Sequence, residues 1–223
     1  MNFIHGTNPS QGILDLSAKL VDLLSNNKKV LWLLAGGSNI PIAAEVMNRM
    51  RKKVSPSALT YLTLALSDER YGQVGHTDSN WQQLTETHFD FSGIKSLSIL
   101  QGESLEKTII DYASALEPII QSSDYIISQF GLGEDGHIAG ILPHSSASTA
   151  SGIVTGYQAT PFTRISVTFD ILRKIDVAYG FVFGPSKGNA LHRLDDELLS
   201  LDEQPAQILR EIPEVYIYQD AIN

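Results

Sequence analysis

Six short apolar runs punctuate this chain, and longer amphipathic stretches separate them. The runs are VLWLLA (30–35), LTYLTLAL (59–66), DYIISQF (124–130), RISVTF (164–169), VAYGFVF (177–183) and VYIY (215–218). Several are apolar at odd and even positions alike, which suits strands of a sheet covered on both faces. The intervening stretches carry helical spacing. In 11–25, Ile13, Leu16, Leu20 and Leu23/Leu24 share one face. In 41–53, Ile42, Val46 and Met50 recur every four residues, with Ser38 or Asn39 available as cap and Pro41 near the first turn. The segment 78–89 opens on DSN, a run of N-cap residues. Segments 103–121 and 187–199 also read as helices, and Pro205 is expected to open a last short one. This alternation predicts an α/β fold: three layers, Rossmann-like, with a mainly parallel sheet and helices on both faces. The stretch 144–163, rich in Ser, Thr, Ala and Gly, reads as a mobile loop or short hairpin. With 223 residues and no linker-like tract, residues 1–223 are expected to form a single domain.

Composition narrows the function classes. There are no cysteines, so disulfides and thiolate metal sites are excluded. No apolar run approaches the ~18 residues that span a bilayer. The start, MNFIHGTNPS, lacks the basic flank and apolar core of a secretory signal. A cytoplasmic protein with no membrane partner is therefore expected. The formal charge of −9 argues against nucleic acid, which usually meets a basic face. The one basic cluster, RMRKK (49–53), lies at a predicted helix end, where cations complement the macrodipole. Isolated cations elsewhere gain interest, because an acidic protein that binds an anion must place them individually.

In open α/β sheets the ligand lies beyond the carboxyl ends of the strands. The residues there are GGSN after the first run, SDER after the second, GLGEDGH after the third and GPSKG after 177–183. Gly36, Gly37 and Ser38 form either a tight strand–helix turn or an anion cradle of free amides; no Walker A pattern is present. Asp68, Glu69 and Arg70 crowd a strand end, where Arg70 forms either a surface ion pair or a fork for phosphate oxygens. His76 and Asp78 lack a further ligand at metal spacing, so His76 is expected to order its loop and no metal is expected. Lys187 precedes a predicted helix, where a cation is unfavourable unless an anion bridges it.

The stretch FGLGEDGHIAGILP (130–143) spells G-x-G-x-x-G, but a dinucleotide fingerprint needs an acidic residue about 20 positions on. No Asp or Glu occurs from Gly136 to Phe169. The same loop offers Asp135 and His137 two residues apart. A histidine can take a proton from water and return it, and a carboxylate can fix its tautomer. With no G-x-S-x-G elbow and no cysteine, activated water is the expected nucleophile.

LAGGSNIP, SDERYGQVGHTDSN, GLGEDGHIAGILP and GPSKGNAL occur in the order of four blocks of the 6-phosphogluconolactonases, and RISVT resembles that family's Arg-containing strand. The resemblance runs from Leu31 to Leu194. It implies the fold shared by glucosamine-6-phosphate deaminase and ribose-5-phosphate isomerase. The implied activity is hydrolysis of 6-phospho-D-glucono-1,5-lactone in the pentose phosphate pathway. His137 would be the general base and Asp135 its orienting partner. Amides near Gly36, Gly37 and Ser38 would face the developing oxyanion. The resemblance further implies that Arg70, Arg164 and Lys187 hold the phosphate and that Asp68 meets a sugar hydroxyl or the site's network. No metal or organic cofactor is implied, and the only expected partner is the phosphosugar lactone.

Two rivals stand beside this reading: a glucosamine-6-phosphate deaminase/isomerase and a non-catalytic sugar-phosphate sensor. The deaminase block resembles G-x-D-G-H-I-A-F-N-E-P, whose Glu belongs to a catalytic relay. Leu142 occupies that position here, and DER replaces D-E-Y; Ile138 leans toward the deaminases. This chain also carries one extra residue between Ser38 and Pro41, and His144 where the lactonase block has Gly.

Overall fold

A computed structural model of the protein describes residues 1–6 and 8–220. Seven strands form the main sheet. In spatial order they are β1 (Asn2–His5), β10 (Glu214–Gln219), β9 (Val177–Val182), β6 (Tyr125–Phe130), β2 (Val30–Leu34), β3 (Leu62–Leu66) and β5 (Lys95–Leu97). Every neighbouring pair is parallel. All residues of β2 and β9 are buried, as their two-sided apolar sequences require.

The helices are α1 (Ser10–Ser25), α2 (Asn39–Arg51), α3 (Asn80–Glu86), α4 (Leu105–Ser122), α5 (Phe169–Leu172) and α6 (Gly188–Asp196). The buried stripe of α1 contains Ile13, Leu16, Leu20, Leu23 and Leu24. Its Gly12 lies against the rings of Phe181 and Tyr218, and Tyr218 donates to Asp15 at 2.7 Å. Strand side chains alternate faces, so Phe3 and Gln219 point to the other side, where they line a cleft with Leu191 of α6. Helices thus cover both faces. The RMRKK cluster is a helix end: Arg49 pairs with Glu45 at 2.6 Å and Arg51 with Asp90 at 3.1 Å.

A second sheet is where the sequence expectation needs correction. RISVTF is a strand, β8 (Thr163–Val167), but it lies outside the parallel sheet. It runs antiparallel between β4 (Asp68–Arg70) and β7 (Val154–Gln158). The physical cue is alternation. Ile165 and Val167 fall on one face with Arg164 and Ser166 on the other, the pattern of a sheet that meets solvent or a cleft on one side. The segment 144–163 accordingly supplies one arm of a hairpin, together with a short 3-10 turn at Ser146–Thr149. Pro205 opens a 3-10 stretch, Pro205–Glu211, rather than an α-helix. The LTYLTLAL run likewise begins as a 3-10 turn, Ala58–Tyr61, before β3.

The two sheets join at Ser67. Its N–H donates to Leu34 O in the main sheet at 2.9 Å, and its carbonyl accepts from Val167 N in the small sheet at 2.9 Å. The chain therefore passes from β3 straight into β4 and carries Asp68 and Arg70 over the ends of the parallel strands.

Candidate active site at the sheet switch point

From β2 the chain builds outward to β3 and β5 on one side, and then from β6 to β9 and β10 on the other, where the earlier β1 forms the edge. The gap between the β2 and β6 loops is thus a topological switch point, where ligands of such sheets bind. A cleft of about 210 Å³ opens there. Gly36, Gly37 and Ser38 line it from β2, Asp68 and Arg70 from β4, Arg164 from β8, His137 from the β6 loop and Lys187 from the start of α6. Asp135 does not line the cleft, but reaches it through His137. All nine residues singled out in the sequence therefore converge.

The Asp135–His137 pair is built by a tight turn. Gly133 N donates to His137 O at 2.9 Å, and Gly136 N donates to Gly133 O at 3.0 Å. This folds the loop so that His137 Nδ1 stands 2.7 Å from Asp135 Oδ1, which also accepts His137 N–H at 3.1 Å. Gly133 makes the packing possible. A Cβ there would lie 2.0 Å from His137 Nδ1 and 2.5 Å from Asp135 Oδ1. Burial alone would raise the Asp135 carboxyl; the hydrogen bonds and charge of His137 outweigh it and hold it at about 2. An ionised carboxylate accepts but cannot donate. Nδ1 must then carry the proton in the neutral imidazole, leaving the Nε2 lone pair for a water in the cleft.

The cations are arranged unlike ordinary surface residues. Arg70 and Arg164 are directly opposed across the β4–β8 pair. Like charges so placed repel. Among the described residues neither makes an ion pair, and both leave Nε buried and unbonded. Arg70 donates instead to the Asp78 carbonyl at 2.9 Å and packs over the Phe162 ring at 5.3 Å. The surface-ion-pair alternative for Arg70 is thereby removed. Lys187 sits at the N-cap of α6. Three cations line one cleft and, among the described residues, none of them is in an ion pair, an arrangement that can receive a phosphate.

Gly36, Gly37 and Ser38 donate their amides to no acceptor among the described residues, and Gly37 has φ +67°. Ser38 makes no side-chain cap bond to α2, so the turn is held otherwise. Gly36 is required by close approach: a Cβ would lie 2.0 Å from Asn80 Oδ1. Free amides in this position can face a developing oxyanion.

Three buried polar residues were missed as site residues by sequence reasoning. Asn80 Nδ2 donates to Asp68 O at 2.9 Å and to its carboxylate at 3.3 Å, and so sets the Asp68 side chain. Asn39, fully buried at the start of α2, accepts from Gln129 Nε2 through its main-chain carbonyl at 2.9 Å, tying α2 to β6. Glu69 accepts from the amides of Arg70, Asn80 and Trp81 and from Ser79 Oγ, at 2.6–3.0 Å. Burial pushes its carboxyl above the ordinary range, against the pull of those donors. The signals were present: DSN at a helix start, with Ser79 as the working cap, and an acidic residue inside DER. His76 plays the loop-ordering part expected of it and donates through Nε2 to Arg70 O at 2.9 Å.

His144 departs from the lactonase block, yet the backbone keeps a left-handed form there, φ +54°. Asp202 supports it, accepting from His144 Nδ1 at 2.8 Å and, through its carbonyl, from His144 N at 2.9 Å.

The fold and cleft define an α/β protein with an Asp–His pair and a cationic pocket at the switch point of a parallel sheet. A family model for glucosamine-6-phosphate isomerases/6-phosphogluconolactonases matches residues 11–217. A probable 6-phosphogluconolactonase 1 of Arabidopsis thaliana is 24% identical over 214 residues, covering 84% of this chain and 79% of its own. A glucosamine-6-phosphate deaminase of Leuconostoc citreum is 22% identical over 235 residues, covering 99% and 97%. The 6-phosphogluconolactonase structure from Shewanella baltica superposes with a TM-score of 0.83 at 18% identity, over 99% of this chain and 98% of that one. That from Thermotoga maritima gives 0.81 at 20% identity, over 98% of each. The chain belongs to the glucosamine-6-phosphate isomerase/6-phosphogluconolactonase family.

Proposed function

We propose that this protein hydrolyses 6-phospho-D-glucono-1,5-lactone to 6-phospho-D-gluconate, the ring-opening step of the oxidative pentose phosphate pathway. The observation that carries the reading is one cleft lined by His137, which is paired with Asp135, and by three cations that make no ion pair among the described residues. Arg70, Arg164 and Lys187 bind the phosphate, and that remote anchor places the lactone carbonyl beside His137. His137 Nε2 takes a proton from water as the water oxygen bonds to C1. The amides of Gly36, Gly37 and Ser38 face the resulting oxyanion. As the tetrahedral carbon collapses, the C1–ring-oxygen bond breaks and His137 returns the proton to the departing oxygen. Asp135 holds the imidazole throughout, and Asp68, steadied by Asn80, meets a sugar hydroxyl.

The similarity to a deaminase keeps a second reading in view. The loop argues against it. Leu142 is an apolar, partly buried side chain packed against the core where the deaminase relay has its Glu. His137 has Asp135 as its carboxylate partner. The test is a coupled assay on freshly generated lactone, corrected for spontaneous hydrolysis, beside ammonia release from glucosamine 6-phosphate. Lactone turnover without ammonia is expected; the reverse overturns the reading. His137→Ala should lose on the order of 10²–10⁴-fold in turnover and keep stabilisation by 6-phosphogluconate. Near-normal turnover in that variant removes His137 from the mechanism.

A further inference from the structure

Immediately after His137 the chain makes a turn whose geometry is unfavourable by itself. Ile138 and Ile141 form a bridge, and Ile141 N donates to Ile138 O at 2.8 Å. The two central residues, Ala139 and Gly140, have φ +50° and +74°, the signature of a type I′ turn. Alanine in that region is sterically disfavoured. The turn must also sit closely on the site: a Cβ at Gly140 would lie 2.6 Å from the Asp68 Cβ. Something has to hold this turn in place, and the small sheet supplies it.

Tyr157 of β7 is buried, 6% exposed, and its hydroxyl spans the turn's exit. It donates to Gly140 O at 2.6 Å and accepts Leu142 N–H at 3.2 Å. Ser166 Oγ of β8 lies 2.5 Å from Ala139 O. Each carbonyl of the two left-handed residues is therefore met by a hydroxyl from the small sheet. Tyr157 also lies directly opposite Arg164, which lies directly opposite Arg70. Residues opposed in an antiparallel pair share a face. Arg70, Arg164 and Tyr157 thus form one cross-strand row, with the phosphate cations at one end and the hydroxyl that grips the His137 loop at the other.

We propose that Tyr157, assisted by Ser166, is a positioning residue that fixes the distance between the phosphate anchor and the general base. This rests on the lactonase reading. Tyr157 touches neither water nor lactone in the mechanism; it acts through the 138–142 turn, holding His137 and Asp68 in register with Arg70 and Arg164. Misplacing a base by about 1 Å costs up to ~10²-fold in rate. Loss of the Tyr157 hydroxyl therefore predicts a fall in kcat with the phosphate affinity kept.

The experiment compares wild type, Tyr157→Phe and Ser166→Ala in the lactone assay, well below each melting temperature. It is paired with 6-phosphogluconate binding and the NMR signal of the His137 imidazole. Expected are a kcat reduced roughly 10- to 100-fold in Tyr157→Phe, KM and 6-phosphogluconate affinity within about 3-fold of wild type, and a displaced His137 signal. Ser166→Ala should show the same split more weakly. A structural role alone would lower the melting temperature and leave kcat, KM and the His137 signal of the folded protein unchanged; that result overturns the proposal, as does an equal loss in affinity and kcat. Absence of lactonase activity in the wild type would sink the functional reading. The imidazole signal would still decide the positioning role: displaced in both variants it stands, unmoved it falls.

Discussion

Asp135 determines which nitrogen of His137 is free to act. Its carboxyl titrates at about 2, below the ordinary value near 3.9. The sign of the linkage follows from that depression. Its stabilising contribution is complete above the unfolded value and is lost only as pH falls through about 2. Across pH 5–9 Asp135 is therefore ionised, and no limb of an activity profile in that range belongs to it. Asp135→Asn replaces the obligatory acceptor by an amide that can offer either end, which releases the tautomer. Turnover should fall by roughly 10²-fold or more when assayed within pH 5–9. A variant with near-normal turnover there would remove Asp135 from this role.

At the scale of elements, the β4–β8 pair sets two like charges directly opposite each other. Two opposed arginines with no internal counter-ion repel across the strand pair, a cost of about 0.2–1 kcal/mol. Arg164→Met keeps much of the side-chain length and removes one charge. The ligand-free variant should melt no lower than wild type, while KM for the lactone rises at least about 10-fold, since a charged hydrogen bond contributes about 1.5–3 kcal/mol. A lower melting temperature with an unchanged KM would mean that Arg164 is there for folding. This pair also shows what was legible in the sequence. The parallel core strands were, because VLWLL and VAYGFV are apolar on both faces and only a doubly covered sheet accepts such strands. β4 and β5 have three residues each, and β1 four, too few to display a period. β8 was legible as a strand, and its alternation marks a one-sided sheet, but its pairing with β4 shows only where the chain passes through Ser67 from the main sheet. The site residues that bear charge at strand ends could be read directly. Asn39 and Asn80 could be read only as cap residues at helix starts, and Tyr157 not at all, because only the folded loops show which carbonyls and amides need them.

The whole molecule is acidic, with 25 carboxylate residues against 16 Lys and Arg, yet it presents a cationic cleft between two sheets. The net field does not attract a phosphosugar, so recognition depends on local charge placed where the sheets meet. A ligand filling that cleft would meet β4, β8, the loops after β2 and β6 and the start of α6, which only the folded chain brings together. At a concentration 100 times its dissociation constant, such a ligand adds about 2.7 kcal/mol to stability. For a chain of this size each kcal/mol corresponds to roughly 2–4 °C in Tm. 6-Phosphogluconate should therefore raise Tm by roughly 5–10 °C, gluconate at equal concentration should not, and Arg164→Met should lose about half of the shift or more. His137→Ala should retain it, because the proposed phosphate anchor, not the proposed base, is what holds the product. Thermal scans of the three proteins with the two sugar acids decide the point; equal stabilisation by gluconate and its phosphate would remove Arg70, Arg164 and Lys187 from the role of phosphate anchor.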